Sequence, residues 1–251
     1  MATKINISEI FYSLQGEGPN TGKPSIFVRL AGCNLTCGFC DAWYTWNWIG
    51  TDFKHKFAPK ADPSKEIATY ESAEFIKIFL NILSKNKCSH VVLTGGEPLS
   101  QQKAIEDFFK LLEQKIEKIN WPEFEIETNG TIIPSADISR HIKYFSVSPK
   151  FANSGNALKL REREKVLTYF ANNNRAIFKF VIDAEEDMKE VEYLRNKYHI
   201  PKNKIYLMPQ GVSEQEVRDK GRIVAEICKK DGSYIYCHRL QSTLWDATRG
   251  V

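Results

Sequence analysis

The sequence lacks three features that would each indicate a particular class of protein. No apolar run approaches the roughly 20 residues that a membrane-spanning helix requires, and the mean hydropathy is −0.39. The first eight residues contain no basic segment followed by an apolar stretch, so no secretory signal is recognisable. The formal net charge is only +4 over 251 residues, which does not indicate binding to a phosphate backbone. We expect a cytoplasmic protein that contacts neither membranes nor nucleic acid directly.

Cysteine is scarce, and its distribution is uneven. Three of the 6 cysteines, Cys33, Cys37 and Cys40, lie within one short segment. Disulfides are rare in a reducing compartment, so the Cys-x3-Cys-x2-Cys spacing indicates thiolate ligands of a metal. A structural zinc site needs four protein ligands, and no neighbouring Cys or His supplies a fourth at a familiar spacing. Three thiolates favour a [4Fe-4S] cluster whose fourth iron is open to a small molecule.

Beyond residue 70, short apolar runs alternate with longer helical stretches, which is typical of repeated βα units. Six strands are predicted, over residues 25–30, 90–94, 124–128, 144–148, 176–182 and 205–208. Helices are predicted over residues 72–85, 103–119, 161–172, 185–198 and 213–230, with at best a short helix over 137–142. The fold class is therefore α/β with a parallel sheet, either doubly wound or closed into an incomplete barrel. We expect one domain over residues 1–251, with an inserted segment at about 43–69.

Residues with functional chemistry follow five of the predicted strands. Binding groups gather at the carboxyl ends of parallel strands in doubly wound sheets and in barrels. The segments in question are Cys33, 94–97, 127–130, 148–150 and 209–211. We therefore expect all of them to meet on one face of the molecule.

Two of these segments, Cys33-x3-Cys37-x2-Cys40 and Gly95-Gly-Glu-Pro98, together resemble the radical S-adenosylmethionine (SAM) superfamily. The resemblance implies an incomplete parallel (βα)6 barrel of the TIM type. It also implies a [4Fe-4S] cluster on the three cysteines, SAM bound at its open iron, and an external electron donor such as flavodoxin or ferredoxin. The residues that the resemblance assigns to SAM binding are Phe39, Asp41, Gly95, Gly96, Glu97, Ser148, Pro149, Lys150 and Gln210.

Both ends of the chain resemble a narrower family, the 7-carboxy-7-deazaguanine synthases. Residues 8–19, 27–33 and 243–251 carry this similarity. It implies a carbon–nitrogen lyase that contracts the ring of 6-carboxy-5,6,7,8-tetrahydropterin with loss of ammonia, in 7-deazapurine biosynthesis for tRNA modification (queuosine or archaeosine). A homodimer is a further family expectation. The implied substrate-binding residues are Leu14, Gln15, Gly16, Glu17, Arg29, Thr94 and Val251, the last through its terminal carboxylate.

The chemistry of two of these side chains suits a flat, polar, anionic substrate. Arg29 offers a planar fork of donors to a carboxylate, although a surface ion pair is the alternative interpretation. Glu17 can accept from two adjacent N–H groups of a guanidine-like edge. The residues therefore agree with the implied substrate but do not by themselves identify it.

One position departs from the family pattern and concerns magnesium. The family commonly has Ser or Thr after the Cys-Asp pair, and its hydroxyl helps to bind Mg²⁺, whereas this chain has Ala42. Alanine offers no ligand, so the ion would rely on substrate, water or Thr45 of the same loop. The resemblance implies the use of Mg²⁺, and the alternative is that magnesium matters less in this chain than in its relatives.

Two other functions stay open at this point. A glycyl-radical-enzyme activase shares the superfamily chemistry but acts on another protein, and the matched ends of the chain favour the synthase over it. A non-enzymatic iron–sulfur protein would need a fully ligated cluster. Binding of SAM to an open iron would exclude that alternative.

Overall fold

A computed structural model describes residues 3–251 and contains one mixed sheet. Within those residues the strands are β1 (Lys4–Leu14), β2 (Pro24–Leu30), β3 (Ala68–Glu71), β4 (His90–Gly95), β5 (Glu123–Thr128), β6 (Ile142–Val147), β7 (Ala176–Ile182), β8 (Ile205–Pro209) and β9 (Ile235–Tyr236). Their order across the sheet is β3-β1-β2-β4-β5-β6-β7-β8-β9. All pairs from β2 to β9 are parallel, whereas β1 is antiparallel to both β2 and β3. Residues 1 and 2 of the expected domain lie outside the described part.

Helices connect the parallel strands, as right-handed βα units require. They are α1 (Pro63–Glu66), α2 (Ser72–Lys85), α3 (Gln102–Lys115), α4 (Ala136–Ser139), α5 (Leu158–Arg161), α6 (Glu164–Ala171), α7 (Met188–Tyr198), α8 (Glu214–Asp231) and α9 (Leu240–Trp245). The ends of α8 follow local rules: Ser213 and Glu216 form a capping box at its start, and Gly232 ends it with a φ of 75°. In the described chain, no helix combines the length and apolar composition that crossing a bilayer demands.

The expectation of an α/β fold with six central parallel strands is confirmed by β2 and β4 to β8. Arg29 of β2 and Met208 of β8 line the same cavity, although five strand spacings separate the two strands in the sheet. A flat sheet would hold strands five spacings apart at about 24 Å. The sheet therefore curls into an incomplete barrel, with β3 and β9 as its edges in the described chain.

Three details differ from the predicted elements. The helix expected over 103–119 ends at Lys115, because Ile116 is extended and Pro122 follows shortly after. The helix expected over 161–172 is interrupted by extended residues at Glu162 and Arg163, which separate α5 from α6. Strands β1, β3 and β9 were not predicted. The segment predicted as an insert at about 43–69 forms a short turn at Trp43–Thr45, then α1, and leads into β3.

The two faces of the parallel sheet differ in chemistry. Alternate strand residues pack on the helices and form the main hydrophobic core, with Ile26, Val28, Phe124, Phe145, Phe178 and Phe180 among them. The residues between them point to the inside of the curled sheet and line the cavity, and they include Phe27, Arg29, Thr94, Glu127 and Lys179. The alternation of side chains along a strand therefore separates the core from the candidate site.

Candidate active site

A cavity of about 300 Å³ opens at the carboxyl ends of the parallel strands. All three clustered cysteines line it, as do most residues expected to bind SAM or substrate. These residues are Cys33, Cys37, Cys40, Leu14, Gln15, Gly16, Glu17, Arg29, Phe39, Asp41, Thr94, Gly95, Gly96, Ser148, Lys150, Gln210 and Val251. Glu97, Pro149 and Thr45 are not among the lining residues. The structure thus brings together residues from both ends of the chain.

The loop that carries the cysteines is joined directly to the glycine turn after β4. Gly96 N donates to Leu30 O (3.0 Å), and Glu97 N donates to Gly32 O (2.9 Å). A Cβ atom on Gly95 would lie 2.2 Å from Leu30 O, and one on Gly96 would lie 1.9 Å from Gly32 O. Only glycine permits this approach of two backbones, which explains why the two motifs occur together.

The three thiols have the chemistry that an iron–sulfur cluster needs. None of the three forms a disulfide. Burial raises the pKa of Cys33 to about 12, and it also raises the pKa values of Cys37 and Cys40. Buried thiolates therefore need a cationic partner, and metal coordination supplies one. Asn156 Nδ2 lies 3.3 Å from Cys37 Sγ and donates to it, as an amide can to a cluster sulfur.

The thiols do not converge on a single point. Across residues 3–251, no three His, Cys, Asp or Glu side chains are placed to hold one metal ion. A single tetrahedral zinc ion would require such convergence. In a cluster each thiolate binds a different iron, so the spread of the thiols is compatible with a cluster.

Glu97 has a different environment from the one expected. It is fully buried, and its carboxylate accepts from Asn129 N (2.7 Å), Leu99 N (3.0 Å) and the Thr128 hydroxyl (2.9 Å). Burial raises the pKa of Glu97 to about 7 in spite of these donors. Its carboxylate therefore fixes the ends of β4 and β5 and does not face the cavity. Gly95 and Gly96 are the residues of that turn that do.

A row of paired charges forms one wall of the cavity. Glu17 accepts from Lys179 Nζ through Oε2 and from Gln241 Nε2 through Oε1 (2.7 Å). Burial alone would raise the pKa of Glu17, but the charges of Lys179 and Arg239 hold it below its usual range. Burial disfavours the charged form of Lys179, yet Glu127 and Glu17 raise its pKa above the usual range. The wall therefore presents fixed charges of both signs.

Arg239 and Asp41 link this wall to the cysteine loop. Arg239 donates to Asp41 Oδ2 and to Gly211 O, and its Nε lies 3.4 Å from Glu17 Oε1. Burial opposes ionisation of Asp41, but Arg239 and then Arg29 lower its pKa to about 2. Asp41 is therefore a carboxylate at neutral pH and lies beside the cysteine loop.

Arg29 lies inside the cavity and not on the open surface. Its Nε donates to Glu9 Oε2 (2.9 Å), and its guanidinium lies 5.6 Å from the centre of the Phe11 ring. The Arg29 side chain is 21% exposed. In the described chain its two terminal nitrogens make no hydrogen bond within the protein, so they remain available to an anionic ligand.

The loop between β1 and β2, called the first loop, has a glycine where no side chain would fit. A Cβ atom on Gly16 would lie 1.7 Å from Gln241 Oε1, and Gly16 O accepts from Leu240 N (3.0 Å). Gln15 is buried, and its amide lies 3.3 Å from Glu125 Oε1 and 3.4 Å from Glu127 Oε1. Thr94 donates to Glu127 Oε2 (2.7 Å). These contacts hold the first loop against the strand ends.

Ala42 and Thr45, the two residues considered for magnesium binding, have different positions. Ala42 lines the cavity, whereas Thr45 is fully buried and donates its hydroxyl to Ala42 O (2.7 Å). Thr45 therefore does not replace the missing hydroxyl in this arrangement. Asp41 is the nearest carboxylate in the sequence that lines the cavity.

Four residues that line the cavity were not predicted from the sequence in the roles that the structure gives them. Lys179 and Arg239 were not predicted at all, the Glu127 side chain was not singled out within its segment, and the bond from Gln241 to Glu17 was not foreseen. A signal existed for two of them. Lys179 stands between Phe178 and Phe180, and Glu127 alternates with apolar residues in β5. A charge within a strand that is otherwise apolar indicates a polar inner face. Arg239 lies outside the strands and carries no comparable signal.

The chain is similar to known proteins along nearly its whole length. Residues 28–219 match the Radical SAM superfamily. The chain is 31% identical to the 7-carboxy-7-deazaguanine synthase of Pyrobaculum aerophilum, over 98% of this chain and 97% of that relative. It is 33% identical to the enzyme of the same name from Halobacterium salinarum, over 96% of this chain and 91% of the relative. The crystal structure of QueE from Escherichia coli has a similar fold, with a TM-score of 0.66, 24% identity and 93% of each chain covered.

Proposed function

The chain belongs to the Radical SAM superfamily and, within it, to the 7-carboxy-7-deazaguanine synthases, and from this membership we propose that it contracts the ring of 6-carboxy-5,6,7,8-tetrahydropterin to 7-carboxy-7-deazaguanine with loss of ammonia. The reaction is a carbon–nitrogen lyase step in 7-deazapurine biosynthesis. The supporting observation is that the three cysteines and the charged wall around Glu17 line one cavity. The cofactor site and a site for a polar heterocycle therefore adjoin.

The residues fit the cofactors of this family. Cys33, Cys37 and Cys40 would hold a [4Fe-4S] cluster, and Gly95 and Gly96 would let SAM approach the backbone beside it. When bound there, the cluster and SAM would supply the radical chemistry that removes a hydrogen atom from the substrate. The remaining SAM contacts that we propose are Phe39, Asp41, Ser148, Lys150 and Gln210.

The protein itself binds and orients the substrate. We propose that the free nitrogens of Arg29 donate to the substrate carboxylate. Glu17 and Glu127 would accept N–H bonds from the pterin edge, while the contacts of Lys179 with both carboxylates hold them in place. The backbone at Leu14 and Gly16, the Thr94 hydroxyl and the end of the chain at Val251 complete the cavity. Enclosure in this cavity also limits the access of water to reactive species.

A direct assay tests this function. The protein is reconstituted anaerobically and supplied with SAM, dithionite and 6-carboxytetrahydropterin, and 7-carboxy-7-deazaguanine is measured by mass spectrometry. We expect product in the complete mixture and none when dithionite is left out. Formation of 5′-deoxyadenosine without deazaguanine would keep the radical chemistry and reject this substrate.

Further family properties belong to the same proposal. We propose a single domain, an external one-electron donor such as flavodoxin or ferredoxin, and assembly as a homodimer. Mg²⁺ would be held by the substrate and water, because the Ala42 side chain has no ligand atom and the Thr45 hydroxyl donates to Ala42 O. The assay repeated with and without Mg²⁺ measures this requirement, and light scattering measures the mass of the particle.

A further inference from the structure

Glu9 stands at an irregularity of β1 that turns it toward the cavity. Ile7 pairs with Leu30 and Glu9 with Arg29, so the register shifts between positions 7 and 9. Ile5 and Ile7 lie in the hydrophobic core, and with regular alternation Glu9 would follow them there. The bulge reverses this order, so that Ile10 packs on the core and Glu9 lies directly opposite Arg29.

Both carboxylate oxygens of Glu9 accept hydrogen bonds, and their donors come from different parts of the chain. Oε2 accepts from Arg29 Nε (2.9 Å) and from the Tyr44 hydroxyl (3.0 Å). Oε1 accepts from Arg249, at 3.0 Å from Nε and 2.8 Å from Nη2. The Glu9 side chain is 17% exposed. A carboxylate so shielded depends on its partners more than a surface ion pair does.

Arg249 joins the C-terminal tail to three other elements. Besides Glu9, its Nη2 lies 2.9 Å from Glu66 Oε2, at the end of α1. Its guanidinium carbon lies 3.4 Å from the centre of the Tyr44 ring, within the range of cation–π attraction. Residues 246–251 all line the cavity. Arg249 is thus the point at which the tail is fastened across the cavity.

We propose that Arg249 is a positioning residue, which holds the tail closed over the cavity and, through Glu9, fixes the orientation of Arg29. The proposal rests on the proposed function, because it takes Arg29 as the ligand of the substrate carboxylate. Arg29 commits its Nε to Glu9, and this bond sets the plane of the guanidinium. Glu9 in turn is held from its other oxygen by Arg249. An open tail would therefore leave Arg29 less well oriented and the cavity accessible to water.

The test compares Arg249→Ala, Arg249→Lys and a control, Arg222→Ala. Arg222 is an exposed arginine of α8 that does not line the cavity. For Arg249→Ala we expect the KM for 6-carboxytetrahydropterin to rise at least about tenfold, with a smaller change in kcat, because substrate binding is what Arg29 serves. We also expect more 5′-deoxyadenosine per deazaguanine, because an open cavity lets SAM cleavage proceed without product. For Arg249→Lys, the KM and the ratio of the two products should lie between those of the wild type and Arg249→Ala. A lysine keeps the positive charge but cannot bridge two carboxylates with a planar fork.

A readout without catalysis keeps the proposal independent of the assay. Carboxypeptidase A is added to the protein without substrate, and release of the C-terminal valine is followed by mass spectrometry. We expect several-fold faster release from Arg249→Ala than from the wild type or Arg222→Ala.

Two results would overturn the proposal. Equal release from all variants would show that Arg249 does not fasten the tail. A wild-type KM and a wild-type ratio of the two products in Arg249→Ala would show that the tail does not act on Arg29, while the synthase function would stand. If the wild type made no deazaguanine, the function would fail, and the carboxypeptidase result would still decide the closure of the tail.

Discussion

The two faces of the parallel sheet are formed by the same short strands, but one face packs in the hydrophobic core and the other lines the cavity. In β5, Phe124 and Ile126 lie in the core beneath the helices, whereas Glu127 lines the cavity. Parallel sheets are usually covered on both faces and have nearly continuous apolar strands. Here the inner face of β5 and β7 carries charge instead. In these two strands, the charges that alternate with apolar residues therefore mark the face that lines the candidate active site.

The energetics of the two faces also differ. The helix-facing side is held by packed rings, such as Phe79 and Phe108 with centroids 5.0 Å apart, and Phe109 and Phe124 at the same distance. The cavity side is held by compensation of buried charge, as between Lys179 and its two carboxylates. Burial of apolar groups stabilises wherever it occurs, but a buried charge stabilises only while its partner is present. Substitutions on the two faces should therefore separate stability from function.

The largest effect is expected at the cysteines. Cys40→Ala removes one of the three cluster ligands that we propose, which lines the cavity, so we expect no iron–sulfur absorbance and no detectable deazaguanine. Cys40 is not part of the main hydrophobic core, so the thermal midpoint of the protein before reconstitution should stay near that of the wild type. Cys228→Ala is the matched control, because Cys228 lies in the core cluster far from the loop in sequence. Product formation by Cys40→Ala would contradict the assignment of the cluster.

The next effect lies on the opposite face of the sheet. Phe124→Ala removes a fully buried ring, and truncation of such a side chain lowers the free energy of unfolding by about 4 kcal/mol. Urea denaturation measures this change. At a temperature where the variant is folded, its KM for the pterin should equal that of the wild type. A changed KM together with unchanged stability would contradict the division between the faces.

A substitution at Lys179 should lower stability and also weaken substrate binding. Lys179→Met keeps an unbranched side chain of similar size but removes the cation that contacts Glu127 and leaves Glu17 with Arg239 alone, so we expect a loss of about 3 kcal/mol of stability. We also expect a higher KM for the pterin, because Lys179 no longer holds those carboxylates in place. Phe178→Leu on the neighbouring core position is the control and should leave KM unchanged. If Lys179→Met were as stable as the wild type, the charges of this wall would not be coupled.

The smallest effect is a change in pH dependence. The pKa of Glu17 is lower in the folded protein than its ordinary value of 4.5. The stability that ionised Glu17 provides is therefore complete above that value and is lost as the pH falls through the folded-state pKa. We expect wild-type stability to fall more steeply than that of Glu17→Gln between about pH 5 and about pH 3, as measured by urea denaturation. Parallel slopes would show that the pKa of Glu17 is not lowered by folding.

Much of the fold could be predicted because the central strands are compact apolar runs. Strands β2 and β4 to β8 were predicted, and α2 was predicted with its observed bounds. Strand β1 was not, because its apolar residues Ile5, Ile7 and Ile10 break the period of two at the bulge. No local pattern reveals such a bulge, since its reason is the pairing of Glu9 with Arg29 from another strand.

The site was predictable where residues act through their spacing, and less so where they act through distant partners. The cysteines and the glycine turn form motifs that a single segment contains. Arg239 was missed because its role depends on Glu17 and Asp41, which are distant in the chain. For Glu97, sequence alone did not show that three donors from neighbouring segments would engage its carboxylate.

The backbone bonds between the glycine turn and the cysteine loop also bear on the order in which the protein can assemble. Leu30 and Gly32 meet Gly96 and Glu97 only after the inserted segment and α2 have been made and folded back. Closing a long loop of chain has an entropic cost, and contacts between distant segments form slowly. A nascent chain that ends within the insert contains all three cysteines and the first two strands, but it lacks the glycine turn that bonds to their loop. We therefore expect the thiols to be more accessible to oxidation during synthesis than in the folded chain, and a cluster to be inserted late in folding.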